Sequence, residues 1–343
     1  MRKAFAVTAA LALLGLGIAA SAITIDTVRV GDAGNATDTR VMQDGTTGYG
    51  SVGYCYNIGK YEVTAGQYTA FLNAVARTDT YGLYHASMDT AVSASGCNIK
   101  RTGTSGNYSY SVASDWANRP VNYVSYWDSC RFTNWLDHGQ PTGDQGALTT
   151  ETGAYNLNGY TGKDGRAIQR SAGATWAVTS EDEWYKAAYY KGGGTNGGYW
   201  LYPTRSDTAP GQDMADASGN NANYYTAPYA WPIDSGKYTT VVGEFQNSSS
   251  AYGTFDQGGN VWEWNEAVLY TTGTTSERGA RGGSFNTDAN SIILKSSMNP
   301  SCRPTYEVDH IGFRVSQVVP EPSSIVALAA GLVGLLGIRR RRA

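Results

Sequence analysis

Apolar and polar residues alternate along ITIDTVRV (Ile23–Val30), which predicts a half-buried strand, and the aromatic-rich YCYNIGKYEV (Tyr54–Val63) predicts another. The period then changes. Tyr68, Phe71, Leu72 and Val75 fall on one helical face, and Thr64 with Gln67 three residues on predicts a reciprocal cap at the helix start. Ser125 and Asp128 open a second helix, with Trp127, Phe132, Trp135 and Leu136 on its apolar side and Gly139 stopping it. Ser180 and Glu183 open a third, ending at Gly192; its acidic trio Glu181, Asp182 and Glu183 complements the N-terminal dipole without a catalytic role. Residues 77–118 and 140–175 are polar and glycine-punctuated, with one short strand predicted at NYSYSV (Asn107–Val112). No solenoid-type repeat runs through the chain. The pattern predicts an α+β domain with few helices, short strands and much irregular structure.

The two ends follow other rules. MRKAFAVTAALALLGLGIAASA has a basic start, an apolar run and a small-x-small site, which predicts a secretory signal, residues 1–22, cut after Ala22. At the other end Pro320-Glu321-Pro322 precedes an apolar run, Ile325–Ile338, and four arginines, Arg339–Arg342. The run is short for a membrane span, and the arginines would stay on the cytoplasmic side. This tail, residues 320–343, resembles a PEP-CTERM sorting signal of Gram-negative bacteria. The resemblance implies export across the inner membrane, recognition by exosortase sorting machinery, transient C-terminal membrane anchoring and a cell-surface or extracellular destination. Residues 23–319 are then the working domain.

Composition narrows its partners. The net charge is -3 and charged residues make up 16%, so there is no basic field to hold nucleic acid. The 42 glycines and 25 tyrosines favour turns and aromatic packing over a helical bundle. Four cysteines, Cys55, Cys97, Cys130 and Cys302, in an exported chain lead to an expectation of one or two disulfides, with all three pairings open.

The densest chemistry lies between Tyr252 and Val315. Gly258-Gly259 forces a tight backbone before Asn260, Trp262, Glu263 and Trp264; in an extended segment both indoles share one face and Glu263 points to the other. A carboxylate so placed needs an arginine, backbone N–H groups or a metal. One reading packs the tryptophans into a core with Glu263 salt-bridged. The other joins Glu263 to Asp256 around a hard cation such as Ca²⁺.

GNVWEW, RGGSF (Arg281–Phe285) and GFRV, in this order, resemble the formylglycine-generating enzyme (sulfatase-modifying factor) family. IGKYEVTAGQYTAFLN (Ile58–Asn73), RPVNYVSYWDSCRFTNWL (Arg119–Leu136) and VTSEDEWYKAAYY (Val178–Tyr190) agree with it, and YWLYPT (Tyr199–Thr204) looks like one of its strands. The resemblance implies a C-type-lectin-like mixed fold braced by structural Ca²⁺. A first calcium site would use the side chains of Asn223 and Asp234 and the carbonyls of Tyr224 and Gly236. A second would use Asp256 and Glu263 with the carbonyls of Gly259 and Val261. Turn-forming Asx chemistry is the plainer reading of Asn223 and Asp234.

The family's oxidase chemistry needs two thiolates on copper, and the matching positions here are Thr287 and Ile292. Copper is therefore not expected, and the resemblance implies a pseudoenzyme in that chemistry. A related branch uses clustered histidines on iron; His85, His138 and His310 lie far apart and are read as packing or surface residues. No G-x-S-x-G or P-loop motif is present. Three functions remain. The first is a calcium-braced binding module for an extracellular polysaccharide or surface protein. Its recognition surface would run over Asn286–Asn299, with Ser284, Asn286, Asp288, Asn290 and Arg303 as contact residues and loop Tyr and Trp as anchors. The alternative is an oxidoreductase-type enzyme of altered, nonheme-metal-dependent chemistry, using carboxylates such as Glu263 or Glu307. The third is a structural surface protein.

Overall fold

The computed structural model describes residues 22–225, 233–234, 236–286 and 291–319, with the side chains of residues 291 and 292 left aside. The signal and sorting segments lie outside the described residues, apart from Ala22. In chain order the elements are β1 (Thr27–Val30), β2 (Tyr56–Gly59), α1 (Ala65–Val75), β3 (Ile99–Thr102), β4 (Ser109–Val112), α2 (Tyr126–Asp137), β5 (Trp176–Val178) and α3 (Glu181–Tyr189). Then come β6 (Trp262–Thr272), β7 (Thr275–Arg281), β8 (Ser301–Cys302), β9 (Ile311–Phe313) and β10 (Val315–Val318), with 3₁₀ turns at Ala86–Met88 and Ser291–Leu294.

All three helices start as the sequence predicts. Thr64, Ser125 and Ser180 each accept the backbone N–H three residues on, and Gln67, Asp128 and Glu183 return a bond to the cap. The second helix ends at its predicted glycine, since Gly139 has φ +78°. The third stops three residues before Gly192, where Tyr190 turns to extended geometry and bridges Tyr199. Tyr199–Thr204 forms no named strand. It makes two isolated bridges, Tyr190↔Tyr199 and Tyr202↔Ser206, the second closing a turn with Arg205 at φ +58°.

One sheet, ordered β1-β2-β10-β5, is antiparallel throughout and sets the last strand between two early ones. The other, ordered β8-β7-β6-β9, is built on the long β6–β7 hairpin, with β9 parallel to β6. β3 and β4 form a separate hairpin. Between the helices and sheets lies an aromatic core. Phe71 of α1 meets Phe132 of α2 edge-on at 5.3 Å, and Phe132 meets Phe313 of β9 at 5.3 Å. Each such ring contributes roughly 2–3 kcal/mol of burial. This core fixes α2 against β9 and so positions Arg314, the residue between β9 and β10.

All four cysteines carry free thiols, which corrects the disulfide expectation. Cys97, in the chain before β3, and Cys130, on α2, are wholly built into the core, and Cys302 lies on β8. Burial pushes the Cys97 and Cys302 thiols up to about 11 and Cys130 higher still.

Candidate functional site

β6 carries Glu263 and Trp264 on opposite faces, as alternation requires. Trp264 is fully buried, its indole N–H donating to the Val124 carbonyl at 3.0 Å. Glu263 is also fully buried, and its partner is Arg314. The guanidinium donates from Nε to Oε2 at 2.5 Å and from Nη2 to Oε1 at 2.6 Å, a two-pronged pair. Trp184 of α3 adds an indole N–H to Oε2 at 2.6 Å. The same guanidinium reaches the carbonyls of Gly59 and Phe255, each at 2.9 Å. One side chain thus ties β6, β2 and the segment before the glycine turn.

Two more carboxylates crowd this pair. Glu62 is buried and accepts from Asn260 Nδ2 at 3.1 Å on Oε1, while Oε2 has no partner. Burial, then the charges of Asp256 and Glu263, hold its pKa well above the usual range. Asp256 accepts the Gly243 N–H at 2.5 Å, and burial raises it to about 6. Sequence reasoning missed Glu62. Its signal was an acidic residue inside an aromatic, strand-like stretch.

The second predicted calcium site therefore does not fit a metal. Both oxygens of Glu263 are engaged by Arg314 and Trp184, and the guanidinium supplies the positive charge that a cation would bring. This corrects the pairing of Glu263 with Asp256 as joint ligands, and the salt-bridged alternative describes Glu263. Gly259 and Val261 are buried within the turn. Gly259 has φ +87°, and a Cβ there would fall 2.2 Å from the Asn223 carbonyl, so only glycine allows the two segments to touch.

That contact brings the first predicted calcium set beside the turn. The Asn223 amide donates to the Tyr238 carbonyl at 3.0 Å and to Asn260 Oδ1 at 3.2 Å, leaving its own Oδ1 buried without a partner. An orphaned buried oxygen is what a hard cation would take. The other members are differently engaged. Asp234 pairs with Arg119, the Tyr224 carbonyl accepts the Gln212 amide, and Gly236 stands exposed in a turn at φ +72°. Asn223 Oδ1 is the buried side-chain oxygen of this set that has no partner.

The RGGSF segment is a floor. Arg281 pairs with Glu181 and donates to the Ser296 carbonyl at 3.1 Å and the Met298 carbonyl at 2.5 Å, so it clamps the chain returning from the loop. Ser284 and Phe285 are fully buried. Ser284 is thus a support rather than a contact residue, its hydroxyl accepting the Asn286 N–H at 3.3 Å. Asn286 is exposed. Asp288 and Asn290 lie outside the described residues, as does Thr287. Leu294, Ser296 and Asn299 are buried, so the far end of the predicted recognition surface is packed inside. Arg303 is exposed elsewhere, over the Tyr306 ring at 5.9 Å.

The acidic trio of α3 does more than face the helix dipole. Glu181 pairs with Arg281, Asp182 accepts the Gly50 N–H at 2.7 Å, and Glu183 accepts from Arg170 at 2.8 Å and Tyr54 at 2.8 Å. Arg170 also holds Glu266 at 2.9 Å. The histidines are apart. His85 stacks on Tyr123 at 5.2 Å, His138 bonds Thr152, and His310 lies 2.8 Å from Asp309. Among the described residues no three His, Cys, Asp or Glu side chains come together as a metal-holding group. No helix among them is long and apolar enough to cross a membrane.

Comparison with known proteins agrees with this frame. Two solved structures are similar in fold. CarF shares 21% identity with a TM-score of 0.54, covering 87% of this chain and 99% of its own. PvdO from Pseudomonas aeruginosa shares 17% with a TM-score of 0.50, covering 85% of this chain and 94% of its own. No curated protein matches the chain. Residues 318–342 match the PEP-CTERM protein-sorting motif, which marks the chain for export and for exosortase-type sorting machinery. Residues 40–318 match the sulfatase-modifying factor enzyme 1-like domain. The glycine turn, the Glu263–Arg314 pair and the buried RGGSF floor are thus the frame of a formylglycine-enzyme-like fold, and this chain belongs to the sulfatase-modifying factor enzyme 1-like domain family.

Proposed function

We infer that this is an exported binding module of the Gram-negative cell surface that keeps the family frame without its oxidase chemistry. The observation that carries the reading is the fate of the motif carboxylates. Glu181, Glu183, Glu263 and Glu266 are all committed to Arg281, Arg170 or Arg314. Residues so locked hold a scaffold rigid and are spent as acids or bases. Thr287 and Ile292 stand where the resemblance puts the copper thiolates. What the frame carries outward is irregular chain, the usual place for recognition on a fixed scaffold. Its ligand would be an extracellular polysaccharide or a surface protein. A structural Ca²⁺ would be held through Asn223 Oδ1 and would brace the loop beside the glycine turn.

The test pairs two assays on the purified domain, residues 23–319. Supplied with copper, O₂ and a cysteine peptide of sulfatase type, it should form no aldehyde. Passed over immobilised polysaccharides and surface proteins, it should be retained by at least one. Aldehyde formation above the buffer rate would refute the reading, as would failure to bind any partner.

A further inference from the structure

Away from the Glu263 frame, a cavity of about 90 Å³ opens at the start of α2. Segments far apart in sequence line it, among them Tyr81 after α1, Trp127, Asp128 and Arg131 of α2, and Thr305 and Glu307 before β9. The cations near its carboxylates are already committed. Arg131 holds Glu151 through Nε at 2.7 Å and Nη2 at 3.1 Å. Asp128 Oδ2 accepts the Ser125 N–H at 2.8 Å and hydroxyl at 2.6 Å. Burial pushes Glu307 up to about 8, helped by Asp128 and Asp79, so at neutral pH its carboxyl both donates and accepts.

The same wall includes an unmet donor. Arg131 is fully buried, and its Nη1 has no partner. Aromatic surface completes the wall. The Tyr81 ring lies 4.6 Å from that guanidinium, and the Trp127 N–H is already given to the Gly162 carbonyl, leaving its ring. Tyr306, between the lining residues Thr305 and Glu307, is 43% exposed.

A ligand here must accept from Arg131, donate to Asp128 and exchange a hydrogen bond with Glu307 in either sense. A metal ion would sit against the guanidinium, and an anion against Asp128. Neighbouring hydroxyls meet both demands, and the C–H edge of the ring carrying them suits aromatic walls. We propose that this cavity is a pyranose subsite, in which Asp128, Arg131 and Glu307 recognise the hydroxylated edge of a neutral sugar unit of a surface polysaccharide. The assignment rests on the binding-module reading and names its ligand class. The volume admits one ring edge rather than a whole sugar, so single units should bind weakly, near about 1 mM.

The experiment is saturation-transfer NMR on the full chain with the methyl glycosides of glucose, galactose and mannose, repeated for Glu307→Gln and Tyr306→Ala. Glu307→Gln keeps the side-chain size and replaces a half-buried acid with a neutral amide, so the fold is retained, as the melting temperature will check. At least one glycoside should receive saturation from the wild type, and Glu307→Gln should weaken it at least about tenfold. Unchanged affinity in Glu307→Gln would overturn the subsite and leave the binding-module reading standing. No transfer to any glycoside, with surface-protein binding retained, would overturn sugar as the ligand class. Failure of every polysaccharide and protein to bind the wild type would instead remove the binding-module reading itself.

Discussion

Replacing Arg314 by methionine keeps most of the buried volume and removes the guanidinium. Glu263 would then keep one hydrogen bond, from Trp184, with Glu62 and Asp256 as neighbours. The carbonyls of Gly59 and Phe255 would lose their 2.9 Å donors. Removing one partner of a buried pair costs about 3–5 kcal/mol, and each orphaned buried acceptor about 1–3. These costs overlap, so we expect a loss of about 4 kcal/mol, a large share of the ~5–15 that holds a domain folded. Glu263→Gln alone leaves the arginine charge unpaired and should also destabilise. The double variant buries neither charge and should recover at least about 2 kcal/mol of the summed losses. Urea unfolding followed by tryptophan fluorescence reads all four proteins, with and without calcium. A loss below about 1.5 kcal/mol for Arg314→Met, or strict additivity in the cycle, would refute the pairing. Additivity together with a calcium-dependent loss would return Glu263 to a metal site.

Asp256 gives a pH test. Its folded pKa, about 6, lies above the ordinary 3.8, so the folded state binds its proton more tightly. Its stabilising effect is complete below the lower value and is lost as pH rises through the upper one. Against the wild type, Asp256→Asn should gain roughly 2 kcal/mol between about pH 4 and about pH 7.5, read by urea melts at each pH. Arg314, Glu263, Glu62 and Glu244 are the charges around this group, and all are kept in the variant. A difference that stays flat, or grows the other way, would contradict the buried-acid account and favour a bound cation. For the Asn223 site, chelator should lower the wild-type melting temperature and leave Asn223→Ala unaffected. Equal melting of the wild type with and without chelator would dismiss the calcium brace.

The local grammar of this chain was legible because it is short-ranged. Thr64, Ser125 and Ser180 meet partners three residues away, and no tertiary contact is needed to see them. Alternation likewise placed Glu263 opposite Trp264. What the sequence could not supply was the identity of Glu263's partner. A carboxylate between two indoles declares a need for positive charge, and Arg314, 51 residues on, meets it no less well than a metal. Tyr199–Thr204, read as a strand from the family resemblance, makes only isolated bridges, since likeness of motif does not fix ladder pairing. Ser284 and Asn299 look like polar loop residues, yet tertiary packing buries both, and only the clamp from Arg281 explains why the chain returns inward there. Thiols were read from the compartment, and compartment says nothing about whether two cysteines meet.

A guanidinium and a calcium ion solve the same electrostatic problem with different consequences. The ion is exchangeable, so a frame built on it loosens when calcium is scarce. Arg314 is covalent, stays charged at any pH the chain meets and brings donors for two carbonyls as well as the carboxylate. Its excess acid neighbours, Glu62 and Asp256, are then tolerable because burial keeps them protonated more readily than usual. The Glu263 pair thus needs no exchangeable ion, and the calcium proposed at Asn223 is the part of the structure that would respond to metal. Under that proposal, loss of the ion would act first on Asn223 and the glycine turn it touches and would leave the Glu263–Arg314 pair in place.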